Sequence, residues 1–399
     1  VEKQKNALTR LSKAQSGVRE AHSKALSMSM KGGMAMYAGR RAIGGMAAVA
    51  GVGMGFEKDF SRVVALQRLD KDNAADAAKI QAQRQQALDL GASTQYTSGQ
   101  VAQGQGYLAM AGFNHNQILK AMPHTLNLAT SAGMEGELGG VADIMSNIMS
   151  GFKLSAEEAQ RAADVMTATS TNTSLSSLGE TAKYAAPIMS AAGQSYESTM
   201  AMSGLLGNVG IQGTMAGTTL KNLVTNLVDP KKAKALQDIG VSTTDKNGNL
   251  RQVPEILAEM GKEINRLPSG EKLAFIEEIF GKIPLAGATE LIDQLSSGKA
   301  AELFEKINSS QGANDKTATI MQDNVAGDLA GLKSAAEAIS ISLFDQQNGA
   351  LRGLIQSGTE WLRIANQWIQ DNPKLVGWIV KAAAVLAVVA TALGALAVA

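Results

Sequence analysis

The chain has 399 residues, 37 Lys and Arg against 36 Asp and Glu, a formal net charge of +1, no cysteine and 4% aromatic residues. Balanced charge excludes a dedicated nucleic-acid surface, which needs a clustered positive excess, and the lack of cysteine excludes disulfides, thiol chemistry and zinc–thiolate sites. Abundant Ala, Gly and Met suit close helix–helix packing better than a β core. The predicted fold is therefore all-α: a helical core domain with one small β-hairpin, flanked by long helices and apolar, membrane-competent segments.

Residues 1–31 are polar and helix-prone, and Gly32–Phe56 is apolar and rich in glycine, with no charge from Ala42 onward. That stretch is short for a bilayer span; it reads either as a small-residue helix packed on protein or as a membrane-active segment. Together, 1–56 form a first division. Residues 57–90 read as one long connecting helix, with Phe60, Val63 and Val64 on a stripe that Ile80, Ala87 and Leu88 resume, and with Gly91 as its stop. Residues 91–300 read as the core domain, a series of helices parted by Gly, Asn or Ser. Ser155 with Glu158 matches a capping box, Ser195 and Ser269 read as N-caps, and Asp229–Pro230 suits a helix start. The hairpin is expected at Val241–Val253, around Asn247–Gly248 in a type I′ turn. Residues 301–371 hold two longer helices, Ala313–Asp345 and Gly349–Asp371, the second with Trp361, Ile364 and Trp368 on one face. After Pro373, residues 372–399 read as a hydrophobic helix. It has 18 consecutive residues in which Thr391 is the sole polar side chain, near the minimum for a span. Trp378 and Lys381 sit where interfacial anchors belong, and Val385, Leu386, Leu393 and Leu396 belong to the same membrane segment; the rival reading is a buried, Ala-rich packing helix. A first residue that is Val and a last residue inside an apolar run suggest a window on a longer polypeptide.

Within the core domain, "GLLGNVGIQGTMAGTTLKNL" (Gly204–Leu223) places glycine at 204, 207, 210, 213 and 217. It fails as a phosphate loop: no strand precedes it, the spacing is not G-x-G-x-x-G, and no Gly-Lys-Ser/Thr follows. Spacing of three to four residues instead puts small residues on one helical face, or makes successive tight turns, so that backbones can approach. Gly207, Gly210, Gly213, Gly217, Thr218 and Leu220 are therefore expected to form a packing motif, with Gly213→Leu overpacking a close contact. No catalytic, cofactor or metal residues emerge. His22, His115 and His124 lack ligand spacing, no G-x-S-x-G elbow occurs, and side chains of the adjacent pairs Glu157–Glu158 and Glu277–Glu278 diverge on a helix. The densest basic cluster, Lys231, Lys232 and Lys234, reads as a solvated helix face.

The stretch from Leu90 to about Met260 resembles the core region of phage tail tape measure proteins. The resemblance rests on "LGASTQYTSGQVAQGQGYLAMAGFNHNQIL", "PHTLNLATSAG", "FKLSAEEAQRAADVMTATST", "YAAPIMSAAGQSYESTMAMSGLLGNVGIQGTMAGTTLKNL" and "LQDIGVSTTDKNGNLRQVPEIL", five segments in order over about 170 residues. The string Gly207 to Leu220 is the most specific part, and residues 1–56 and 300–399 carry no matching motif. The resemblance implies a non-enzymatic structural virion protein, assembled as a few copies (a homo-trimer on symmetry grounds) inside the tail tube. There it would set tail length during assembly and leave on infection to help DNA cross the cell envelope. Its implied partners are the tail tube protein, the tail tip or baseplate hub, assembly chaperones and the host inner membrane, with no sequence-specific nucleic-acid binding and no cofactor. As one helix the chain would reach only roughly 600 Å, so more of the ruler is expected outside it. Two other readings stay open: a membrane-inserting pore-forming or toxin-delivery protein, and an envelope-degrading enzyme whose carboxylates only the fold would bring together.

Overall fold

The computed structural model describes residues 49–345, of which Met54–Ser340 form one compact unit. The described residues form helices α1 (49–66, in this unit from Met54 on), α2 (Ala74–Ser93), α3 (Ser98–Met110), α4 (His115–Ser131), α5 (Leu138–Gly151), α6 (Ala159–Thr169), α7 (Leu175–Ala191) and α8 (Tyr196–Asn208). The chain continues through α9 (Thr214–Leu227), α10 (Pro230–Asp238), α11 (Val253–Ile264), α12 (Ser269–Phe280), α13 (Leu285–Ser296), α14 (Ala301–Asn308), α15 (Ala313–Gln322) and α16 (325–345). Local polar side chains decide where these helices begin. Thr97 with Gln100, Asn114 with Gln117 and Ser155 with Glu158 each close a reciprocal capping box. Ser174 and Ser195 accept from the third helical N–H. Asp229 accepts from Lys231 N and Lys232 N at 2.9 and 3.2 Å, with Pro230 opening α10.

α7 lies at the centre, packed on α5 on one side and α9 on the other. α15 packs on α4 and α6, α14 on α6 and α8, and α13 on α8, α9 and α11. Leu108, Ile118, Leu126, Met145, Met166, Leu178, Met189 and Met200 are among the largest side chains with almost no exposure. Unbranched methionines fill the irregular gaps that many short crossing helices leave. Pro123 lies inside α4 and cannot donate to the carbonyl of Leu119 one turn earlier. The Gln86 amide of α2 donates to that carbonyl at 2.7 Å, so the defect becomes a tie between helices.

Five expectations are corrected. The helix expected over 57–90 breaks between residues 66 and 74. Asn73 accepts from Ala75 N and Asp76 N at 3.0 and 3.2 Å, and this cap outcompetes helix continuation. Gly91 is no stop: α2 runs to Ser93, and Gly91 is buried where a Cβ would lie 2.6 Å from Ser98 N. Ser269 is the first residue of α12, behind Pro268 at the cap position, and makes no capping bond. The β-hairpin reduces to one isolated bridge, Thr244 to Leu250, and among the described residues no strand forms. Asp245 closes the turn by accepting from Asn247 N and Asn249 N, both at 2.8 Å, and Asn247 lacks the positive φ that a type I′ turn needs. Two residues past the bridge, Gln252 already stands at the cap position of α11 with Pro254 in its first turn, which leaves no length for a strand. Finally, the helix expected over 313–345 breaks at Asp323–Asn324. Asn324 Oδ1 accepts from Gly327 N at 3.0 Å and its carbonyl from Asp328 N at 3.0 Å, so Asn324 starts a new helix. Among the described residues no helix is long and apolar enough to cross a membrane. The segment expected to span one, 372–399 with Trp378, Lys381, Val385, Leu386, Leu393 and Leu396, lies outside the described residues, as do 1–48 and 346–371.

Candidate functional site

The glycine string folds as an elbow between α8 and α9, and its glycines act in two ways. Gly204, Gly207 and Gly217 lie within helices. A Cβ on Gly207 would meet Thr173 Cβ at 2.7 Å and Asn172 O at 2.8 Å; on Gly217 it would meet Thr181 O and Tyr184 Cβ, both at 2.7 Å. Real Cβ atoms do not approach so closely, so hydrogen is the only side chain that fits these contacts. Gly210 (φ 79°) and Gly213 (φ 59°, ψ −130°) form the bend itself, in backbone regions that side chains of L-residues disfavour. The bend is tied to its neighbours: Thr181 Oγ1 donates to Gly213 O at 3.0 Å, Gln212 Nε2 to Gly207 O at 3.3 Å, and Asn172 Nδ2 to Asn208 Oδ1 at 2.9 Å. Leu220 is fully buried, while the half-buried Thr218 lines a shallow cavity of about 190 Å³ with Ile211, Met215, Ile283 and Gly287. A Cβ on Gly213 would find its nearest heavy atom, Glu180 Cβ, at 3.7 Å, an ordinary contact. Its requirement for glycine is therefore conformational, not the overpacking expected from the sequence.

The far face of α7 is as tight. A Cβ on Gly179 would meet Ile144 Cγ1 of α5 at 2.6 Å, and one on Gly151 of α5 would meet Ala186 Cβ of α7 at 2.7 Å. α7 is thus clamped between two glycine-lined contacts, through which backbones approach and gain dispersion contacts.

A second constellation, not anticipated from the sequence, fastens α15. The start of this helix has Gly312 at its cap position and no capping side chain of its own. The carboxylate of buried Asp164, on α6, accepts from Gly312 N and Asn314 N, both at 2.9 Å, supplying from a distant part of the chain what a local cap would. Asn314, fully buried, donates to His124 O at 3.0 Å and accepts from Ser131 and Thr167, each at 3.2 Å. Asn127 Nδ2 donates to Asp315 Oδ1 at 2.9 Å. The chain separation, about 150 residues from Asp164 to Asn314, is why no local pattern announces this latch.

Titratable groups here serve structure. Burial pushes the Tyr96 phenol up to about 12 and the Tyr196 phenol well above its usual range; Tyr96 donates to Leu126 O and Tyr196 to Ala162 O. Of the adjacent carboxylates, Glu158 is held below the usual range by its bond to Ser155 N, with Arg161 adding to this. Arg161 also donates to both carboxylate oxygens of Glu197. Glu158, held below the usual range, is a poor proton donor near neutrality. His115 and His124 are both lowered by burial, Lys79 adding for His115 while Asp315 and Asp164 oppose for His124. Among the described residues no group of three or more His, Asp or Glu is placed to hold a metal ion.

The fold and this site define a helical structural module whose chemistry is the packing of helix on helix. Residues 84–281, from within α2 to the end of α12, match the model of the family described as phage-related minor tail protein. The chain is 36% identical to the probable tape measure protein of Escherichia phage P2 over 312 residues, 77% of this chain and 38% of that protein. It is 33% identical to the tape measure protein of Pneumococcus phage Dp-1 over 324 residues, 80% of this chain and 27% of that protein. Over residues 84–281 the chain thus matches the phage-related minor tail protein family, and over more than three quarters of its length it is similar to tape measure proteins, as the resemblance implied. It spans well under half the length of these two relatives. No solved structure matches it.

Proposed function

We propose that this chain is the folded portion of a tail tape measure protein, a structural component held inside the phage tail tube. The protein as a whole sets tail length during assembly and leaves on infection to assist DNA passage through the envelope. The similarity to two tape measure proteins over more than three quarters of the chain carries this reading. The glycine elbow from Gly207 to Leu220, inside the family-matched stretch, is on this reading the packing motif that keeps the module folded while it is stored. Its partners are further copies of itself, the tail tube protein, the tail tip or baseplate hub, tail assembly chaperones and, on ejection, the host inner membrane. Nothing in the described residues favours the toxin-delivery alternative. The test is mass spectrometry of purified tails with and without added protease. The chain should be present and protected in intact tails, and become digestible once DNA ejection is triggered. Its absence from purified tails, or digestion at the same rate before and after ejection, would overturn the reading.

A further inference from the structure

We propose that residues 311–340 form a releasable strap, a catch that opens as one piece while the rest of the unit stays folded. Among these residues the buried side chains are Asn314, Ala318, Ser334 and Ala338, two polar groups and two alanines. Every larger apolar side chain of the stretch, from Ile320 to Ile339, is exposed. The neighbouring α14 docks differently, burying Leu303 and Ile307. What fastens the strap is hydrogen bonding. Asp164 of α6 holds Gly312 N and Asn314 N, and Asn314 in turn joins His124 O, Ser131 and Thr167. Further along, Ser334 Oγ donates to Gln95 O at 2.9 Å, and the Glu337 carboxylate accepts from Gly99 N, in the first turn of α3, at 3.3 Å.

Apolar burial supplies most of the free energy that holds helices together, in proportion to area. A hydrogen bond is exchanged for bonds to water when it opens, so its net contribution is small, though its geometry is exacting. The strap is therefore placed precisely and held weakly, which is the condition for local opening below the free energy of global unfolding. Asp164 also lines a cavity of about 430 Å³ with Arg161, Glu197 and Gln311, from which water replaces the two N–H groups as they leave. Chain geometry makes the opening a single event. α15 ends at Gln322 and α16 begins at 325. A two-residue link reaches only about 7 Å, so α15 cannot move far from α4 and α6 without drawing the start of α16 with it. Gly312, at φ 76°, stands on the α14 side as the hinge, where glycine absorbs the change in backbone direction. The strap ties the end of the unit to groups 147 to 239 residues earlier. Tension on the chain from its C-terminal side would meet these bonds first, and their release frees α3, α4 and α6 from the last helices.

Hydrogen exchange of the full chain, followed by mass spectrometry, tests the strap. In the parent, amides of 313–322 and 325–340 should exchange through one common opening, faster than those of α7 and slower than an unstructured chain. Ser334→Ala removes the donor to Gln95 O and should make that opening about fivefold to tenfold more frequent, the equivalent of one ordinary hydrogen bond. It should quicken 313–322 as much as 325–340 and leave α7 unchanged. Asp164→Asn, which puts a donor where a second acceptor is needed, should quicken 325–340 as much as 313–322. Either variant quickening its own contact helix alone would overturn the strap. So would parent protection over 311–340 equal to that of α7, or exchange there as fast as in an unstructured chain. If Asp164→Asn does not fold, Ser334→Ala carries the test by itself. The outcome is independent of whether the chain resides in a tail.

Discussion

Gly217→Ala offers a quantitative check on the clamp around α7. The added methyl carbon would stand 2.7 Å from Thr181 O and from Tyr184 Cβ, and 3.2 Å from Thr181 Cα, against an optimal heavy-atom separation of about 3.5–4.0 Å. All three are backbone or Cβ atoms, which no rotamer change can move. Retreat of α7 is blocked on its other side, where it lies so close to α5 that a Cβ added at Gly179 or Gly151 would fall 2.6 or 2.7 Å from the facing helix. Overpacking of this kind costs typically about 1–3 kcal/mol, and the blocked retreat places Gly217 at the upper end. Alanine recovers about 1 kcal/mol over glycine inside a helix, leaving a net loss of about 2 kcal/mol. For a domain this large that lowers Tm by about 4 °C, read by differential scanning calorimetry. Gly140→Ala is the control: it lies in the first turn of α5, exposed, with nothing within 4 Å of the new carbon, and should leave Tm unchanged or slightly raised. A Gly217→Ala chain as stable as the parent would refute the close-contact reasoning.

Gly213→Ala should destabilise by about 1–3 kcal/mol through backbone strain alone; a Tm equal to the parent's would contradict the assigned conformation. Asp164→Ala strips the acceptors from Gly312 N and Asn314 N inside a buried network, and leaving such groups unpaired costs about 1–3 kcal/mol each. Amide exchange over 313–322 should quicken before the rest of the unit opens, and unchanged protection there would remove the latch. Acidification gives a fourth prediction. Burial holds His124 and His115 below their ordinary value of 6.5 when folded, so between that lowered value and 6.5 the unfolded chain binds more protons. Stability should therefore be fully present above 6.5 and decline as pH falls through that window. Glu158, Glu259 and Asp245, lowered mainly by bonds to Ser155 N, Arg251 and Asn249 N respectively, act only at more acid pH. His124→Gln with His115→Gln should flatten the chemical-denaturation midpoint across the histidine window, and an unaltered slope would count against buried neutral imidazoles.

Local chemistry made the helix class and many helix starts legible. Ser155, Ser195 and Asp229 each satisfy N–H groups within three residues, so their meaning lies in a short window of sequence. Errors arose where two local signals competed. Asn73 and Asn324 start new helices inside stretches that read as single helices, and the strands around Asn247–Gly248 are cut short by the helix beginning just beyond them. Gly91 was misread because a helical glycine that admits a neighbour's backbone looks, in sequence, like one that ends a helix. The glycines of the elbow stood out by spacing, yet their division into close-contact and bend positions required coordinates. The Asp164–Asn314 latch was illegible for a different reason: its partners lie far apart in the chain, and neither residue belongs to a local motif.

On the proposed tape measure role, the compactness of Met54–Ser340 bears on how such a ruler is calibrated. These 287 residues (340 − 54 + 1) would span about 430 Å as one straight helix. Folded, a chain of this length has a radius of gyration of about 19 Å. A plot of tail length against protein length, across variants that lengthen or shorten other segments, should thus keep the slope of an α-helix while its intercept is displaced by several hundred ångströms. The folded module would be a constant offset on the scale, and the graduations would lie elsewhere in the protein.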